Sequence, residues 1–75
     1  MLIFVKLFSN FAFYHSPSKF SLEVPAGIRI LDILKVLRIP EDLPRITLVN
    51  GQVAHEENTL KEGDTLSVFS PVTGG

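Results

Sequence analysis

The chain contains no cysteine. That excludes a disulfide frame, a thiolate nucleophile and any cysteine-based zinc or iron–sulfur centre, and it is compatible with a reducing compartment. Charge of either sign is scarce and scattered: seven basic and eight acidic residues give a net charge of −1, with no block of one sign. No basic stripe exists to neutralise phosphates, so nucleic acid is not an expected partner. No apolar run approaches the roughly 20 residues of a membrane-spanning helix. The apolar opening from Met1 to Val5 is interrupted by Lys6 and lacks the basic region and small-residue cleavage site of a secretory signal. The expectation is a cytoplasmic protein with no membrane segment. Glycine-rich phosphate loops are missing too, since Gly27, Gly51 and Gly63 stand singly in turns.

The same scarcity limits catalysis. His15 and His55, the only imidazoles, are far apart and have no cysteine beside them. A metal site needs three or four ligands in fixed geometry, so both are read as surface histidines and no metal is expected. Glu41-Asp42 and Glu56-Glu57 fall in predicted loops. Solvation accounts for them better than an acid–base dyad, which needs burial to separate its pKa values. Ser67 and Ser70 have no neighbouring histidine to activate them.

What is present suits one small domain, residues 1–75. A chain of this length hides only about 60–65% of its unfolded surface, and 45% apolar residues with six phenylalanines must supply a well-packed core. Leu2 to Phe8 reads as a strand with Ile3, Val5 and Leu7 on one face. Residues 9–19 read as a connector, and Phe20 to Val24 alternates as a half-buried strand. Ile30, Ile33, Leu34 and Leu37 fall on one helical face. Asp32 and Lys35 carry the signs favoured by the helix dipole, and Pro40 is expected to end the helix. Arg29 stands where a capping Ser, Thr or Asp is usual, a loss of about 1 kcal/mol. Asn50-Gly51 between Ile46–Val49 and 52–54 is a hairpin turn, because both positions need positive φ. Thr65–Phe69 is the last strand. The order β-β-α-β-β-β, with one apolar helical stripe, requires a helix lying across one face of a mixed sheet.

The last absence is the most informative. From Thr65 to Gly75 no side chain is charged. Pro71 fixes its own φ and extends Ser70, and Val72 and Thr73 are β-branched. Gly74 and Gly75 put no Cβ beside the terminal carboxylate. Residues 70–75 are therefore expected to form an extended arm outside the packed body, presenting one carboxylate. Its last five residues reach at most about 17 Å, enough to enter a deep cleft on another protein. Desolvating a lysine or aspartate there would be costly; only the terminal group bears that cost here.

Val24-Pro25-Ala26-Gly27, Ile30-Leu31-Asp32-Ile33-Leu34, Val49-Asn50-Gly51, Leu60, Gly63-Asp64 and Phe69-Ser70-Pro71-Val72-Thr73-Gly74-Gly75 occur in an order and spacing that resemble the ubiquitin-like sulfur carriers of the MoaD/ThiS family. The ending is most similar to that of the molybdopterin synthase small subunit, commonly Pro-Pro-Val-x-Gly-Gly, with Ser70 in place of the first proline. The resemblance implies an α+β, ubiquitin-like β-grasp fold and a carrier or co-substrate in place of an enzyme. In that family an adenylating enzyme of the ubiquitin-activating type (MoeB/ThiF-like) uses ATP to join the terminal carboxylate to AMP. A sulfur donor then displaces AMP to leave a thiocarboxylate. By resemblance Gly75 carries the sulfur, and Gly74, Thr73, Val72 and Pro71 thread the partner's channel. The carrier itself binds no cofactor. The further partner is a large molybdopterin synthase subunit (MoaE-like) or a thiazole synthase. The first connector, from Ser9 to Tyr14, departs from the family's usual Leu-Arg-Glu.

Phe8, Phe11, Phe13 and Tyr14 put four aromatics within seven residues. Phe8 and Phe11 are expected to close one end of the core. Two arrangements stay open for Phe13 and Tyr14: the same core, or an exposed apolar patch for a partner. Phe69, beside the arm, is a third candidate for the partner interface. Three functions fit the arm: a sulfur carrier, a protein modifier joined through Gly75 to a target lysine, and a passive interaction module whose two terminal glycines are coincidental.

Overall fold

Alternation of apolar side chains builds the sheet. The computed structural model describes residues 1–71; Val72, Thr73, Gly74 and Gly75, which the sequence assigns to the reactive arm, lie outside the described residues. The elements are β1 (Leu2–Leu7), a 3-10 helix (Ser9–Tyr14), β2 (Lys19–Glu23), α1 (Ile30–Val36), β3 (Ile46–Val49), β4 (Gln52–Val53) and β5 (Thr65–Phe69). They form a five-stranded sheet in the order β2-β1-β5-β3-β4. β1 and β5 pair in parallel at its centre, and the other pairings are antiparallel. This is the mixed sheet and single helix of the ubiquitin-like β-grasp.

Register places Val5 beside Leu66 and Leu7 beside Val68, so these side chains share the face covered by α1. Ile3, Val5, Leu66 and Val68 are fully buried with Ile30 and Ile33 of the helix, and Leu34 and Leu37 join the same core. Each such aliphatic side chain contributes about 1.5–3 kcal/mol on burial. Thr47 is the buried polar residue of the core; its hydroxyl donates to the Ala54 carbonyl at 2.8 Å.

Three local expectations change. The first connector, read only as a run of turns, contains the 3-10 helix; Phe11 drops from it into the core, as expected, with no exposure. The start of α1 is well satisfied despite Arg29. The Asp32 carboxylate accepts from the Arg29 backbone N–H at 3.0 Å, one half of a capping box. The N–H groups of Ile30 and Leu31 donate to the carbonyls of Asn58 and Glu56, so loop backbone replaces the missing cap. The helix also ends before Pro40. Arg38 takes φ +63°, its N–H donates to the Lys35 carbonyl, and the Ile39 N–H reaches back to Leu34. This is a Schellman motif, with Ile39 and Leu34 both buried beneath it.

The Asn50-Gly51 turn forms as expected, with φ +51° and +86°. The Asn50 side chain does more: its amide donates to Asp64 Oδ1 at 3.0 Å and its oxygen accepts from the Thr65 N–H at 2.9 Å. The hairpin is thereby fastened to the start of β5.

Candidate functional site: the outer sheet face and the root of the arm

The strand period places a second set of side chains on the face away from α1. Phe4 and Lys6 of β1 lie there, Phe8 continues beyond them, and Thr65, Ser67 and Phe69 of β5 stand alongside. Phe8 stays in register because its N–H donates to the Val68 carbonyl at 3.0 Å. Its ring stacks on Phe69 at 4.3 Å between centroids and 2° between planes. Phe69 pairs across β3 with Ile46, and Leu48 pairs with Val53 of β4. Ile46 and Val53 are exposed, at 39% and 78%; Leu48, Phe8 and Phe69 are half-buried. An apolar band therefore crosses the sheet from Phe8 to Val53 and meets the chain where Phe69 leads into Ser70 and an exposed Pro71.

The two arrangements left open for Phe13 and Tyr14 divide between them. Phe13 is 90% exposed. Tyr14 is half-buried, packs against the core and lies 6.3 Å from the Phe11 ring. Of these two, Phe13 is the open one, on a 3-10 helix that lies against β1 and β5. Phe8 is also less buried than expected, because it stacks over the outer face while Phe11 alone closes the core.

The described residues contain no group of three or more histidine or acidic side chains able to hold a metal ion. His55 is exposed. His15 is half-buried, stacked on Phe20 at 3.6 Å, with Nδ1 2.8 Å from the Pro17 carbonyl oxygen. Glu56 and Glu57 are not merely solvated. Glu57 accepts from Arg29 at 2.7 Å. Glu56 accepts a bidentate pair from Arg45, 2.7 Å from Nε and 2.8 Å from Nη2, and this hydrogen bonding holds its carboxyl below the usual carboxylate range. Asp32 is likewise held low by the Arg29 guanidinium and then by the Arg29 backbone N–H. These are structural pairs at the loop and helix start; none lies in the apolar band.

The sequence singles out Phe69 as a candidate but not the residues beside it. Ile46, Leu48 and Val53 become neighbours only through strand order. The available signal was that β1, β3 and β5 carry apolar residues at both parities, too many for one buried face.

A mixed five-stranded sheet with one α-helix, its central strand followed in sequence by uncharged residues, has the fold of the ubiquitin-like carriers and modifiers. The ThiS family model matches residues 5–75, and the chain belongs to that family. Among solved structures it is similar to SAMP1, the small archaeal modifier protein 1 of Haloferax volcanii, at 25% identity and TM-score 0.81, with both chains covered in full. It is also similar to a putative molybdopterin converting factor subunit 1 from Pyrococcus furiosus, at 26% identity and TM-score 0.78, over 95% of this chain and 98% of that one. Subunit 1 in the complex of subunits 1 and 2 of the Helicobacter pylori molybdopterin-converting factor shares the fold at 21% identity and TM-score 0.67, with both chains covered in full. Among curated protein sequences nothing matches significantly. No helix among the described residues is long and apolar enough to cross a membrane.

Proposed function

We propose that this protein is a sulfur carrier acting as the small subunit of a molybdopterin synthase. The observation that carries the reading is the apolar band at Phe69 leading straight into the charge-free arm: a docking face and the group it delivers are contiguous. The likeness to a converting factor subunit 1 supports the molybdopterin branch, and the two-subunit complex of a similarly folded protein supports a large synthase subunit as partner.

The chemistry requires activation first, because a carboxylate is already anionic and would have to expel oxide. A carboxylate oxygen of Gly75 attacks the α-phosphorus of ATP held by the adenylating enzyme, and pyrophosphate leaves. Hydrosulfide supplied by the donor then adds to the acyl carbon, AMP departs, and loss of the S–H proton leaves the thiocarboxylate. Gly74, Thr73, Val72 and Pro71 occupy the channel, and Phe69 and Phe13 seat the partner beside it. The body supplies no acid or base and binds no cofactor; ATP belongs to the activating enzyme. Cytoplasmic residence follows from that partnership.

The test is intact mass after incubation with the adenylating enzyme, ATP and a sulfur donor. A gain equal to one oxygen exchanged for sulfur is expected, and deleting Gly75 abolishes it without altering the fold. No gain across active enzymes of both the molybdopterin and thiamine branches overturns the reading. A second reading, protein modification through Gly75, is favoured by the similarity to a small archaeal modifier. Isopeptide adducts in cells, with no thiocarboxylate, would select it.

A further inference from the structure

The outer face carries a pair of charges that folding does not explain. Lys6 of β1 lies directly opposite Lys19 of β2. The Met1 ammonium donates to the Val24 carbonyl at 2.7 Å, and the Val24 N–H donates to Met1 at 2.8 Å. The Leu7 N–H donates to Ser18. The hydrogen-bonded pairs therefore fall on odd positions of β1, so Lys6 and Lys19 form a non-hydrogen-bonded pair, the kind whose side chains stand closest. Like charges so placed oppose sheet pairing.

Neither ammonium is balanced by a carboxylate among the described residues. The acidic groups that form ion pairs there are engaged elsewhere: Glu23 with the Met1 ammonium, Asp32 and Glu57 with Arg29, Glu41 with Lys35, and Glu56 with Arg45. Lys19 instead stands 5.7 Å over the ring of Phe8, the ring that stacks on Phe69 at the root of the arm. With Phe4 and Ser21 the two lysines line a shallow depression. The repulsive pair thus borders the apolar band beside Phe69, the last residue of β5.

We infer that Lys6 and Lys19 are a carboxylate-reading pair that docks on acidic side chains of the enzyme activating the arm. The inference rests on the arm being activated, as set out under Proposed function, and it holds for carrier and modifier alike, since both must first activate the terminal carboxylate. A partner carboxylate placed between the two ammonium groups turns a repulsive pair into a bridged one. Apolar contact along Phe8, Phe69 and Ile46 supplies the seat, and the lysines set orientation and encounter rate.

The experiment measures ATP–pyrophosphate exchange by the adenylating enzyme from the same organism, with the full-length carrier varied to give KM and kcat. The double substitution Lys6→Glu/Lys19→Glu is expected to raise KM about 10- to 100-fold with little change in kcat. Salt raised from about 0.05 M to about 0.5 M should raise the wild-type KM and leave that of Lys6→Gln/Lys19→Gln nearly unchanged. Lys6→Glu alone creates an opposite-charge pair with Lys19, so Tm should rise by about 2–5 °C even as docking weakens. A pair retained for folding would not show that split. An unchanged KM and salt dependence in the charge-reversed variant overturns the inference, and so does a fall in Tm for Lys6→Glu. An unchanged KM with weakened binding of a large synthase subunit overturns the assignment to the activating enzyme. A wild-type chain that supports no exchange removes the activation reading itself, and the inference with it. Exchange by wild type matched by the double variant removes only the lysine pair.

Discussion

Replacing Arg45 with methionine is expected to remove a large share of the stability of the fold while sparing its outer face. The Arg45 side chain is only 7% exposed. Nε and Nη2 grip both oxygens of Glu56, and Nη1 donates to the carbonyls of Pro40, Glu41 and Leu43 at 2.7, 3.1 and 3.3 Å. Methionine has similar reach and none of these donors. The bidentate, charge-assisted pair accounts for about 2 kcal/mol. Glu56 is 28% exposed, so water recovers some of what it loses, and the full penalty of a stranded buried charge does not apply. Three carbonyls left without their shared donor add about 1 kcal/mol, since most can turn to water. A loss near 3 kcal/mol compares with a total of about 4–11 kcal/mol for a domain of this length, and corresponds to a fall in Tm of about 12–20 °C.

Thermal and guanidinium unfolding followed by circular dichroism measures the loss. Because the Glu56 carbonyl accepts the Leu31 N–H, the amides at the start of α1 should also exchange faster with solvent. KM for adenylation, measured well below the new Tm, should not move. A loss under about 1 kcal/mol would mean that Arg45–Glu56 behaves as an ordinary surface ion pair and that the three carbonyl contacts of Nη1 contribute nothing measurable.

Acid should reveal the same pair. The Glu56 carboxyl sits below its ordinary value of 4.5 in the fold because Arg45 hydrogen-bonds it. Its contribution is complete above that value and is lost as pH falls through the lower, folded one; urea midpoints measured from neutral pH downward should fall in that window, and Glu56→Gln should flatten the fall. Arg38 occupies the left-handed region at φ +63°, which costs a non-glycine residue about 1–2 kcal/mol, while glycine costs more conformational entropy in the unfolded chain. Arg38→Gly should stabilise by about 0.5–1 kcal/mol and raise Tm by about 3–6 °C by calorimetry; destabilisation would show that the Arg38 side chain contributes more than its backbone strain takes away.

The sequence made the sheet readable wherever one face is buried, because period-two alternation admits a single assignment. Ile3, Val5 and Leu7, then Leu66 and Val68, face the core as their spacing requires. Asn50-Gly51 was equally legible, since its positive φ values are a property of two adjacent residues. Helix ends were not. Glycine is the usual sign of a Schellman stop, and here Arg38 stands in its place; Pro40 drew attention two residues too late. The satisfied start of α1 was hidden for another reason, because its acceptors come from residues 56 and 58, set there by tertiary packing. Arg45 was invisible on the same grounds, as a charged residue between Pro44 and Ile46 carries no mark of the partner it will meet. At the candidate site, the charge-free arm was evident from composition, whereas the apolar band joins Phe8 to Phe69 across 61 positions of chain and exists only once β1 lies beside β5.

On the carrier reading, that placement lets a body that supplies no acid or base direct chemistry at its C-terminus. β5 is the middle strand, held by a parallel ladder to β1 on one side and an antiparallel ladder to β3 on the other. The strand that ends at Phe69 is therefore the most constrained of the sheet, and two rows of hydrogen bonds fix where it ends. The paired charges of Arg29, Asp32, Glu57, Arg45 and Glu56 organise the helix start and the loops, and Arg45 and Glu56 border the outer end of the band at Ile46 and Val53. Stabilising electrostatics and recognition surface are thus carried by different residues. On the proposed reading, a partner that seats the band at Phe69 also fixes the position of Ser70 and Pro71, which follow it directly. If the C-terminal carboxylate is the reacting group, as proposed, part of the entropy of orienting it is met by folding and docking of the body before the reaction.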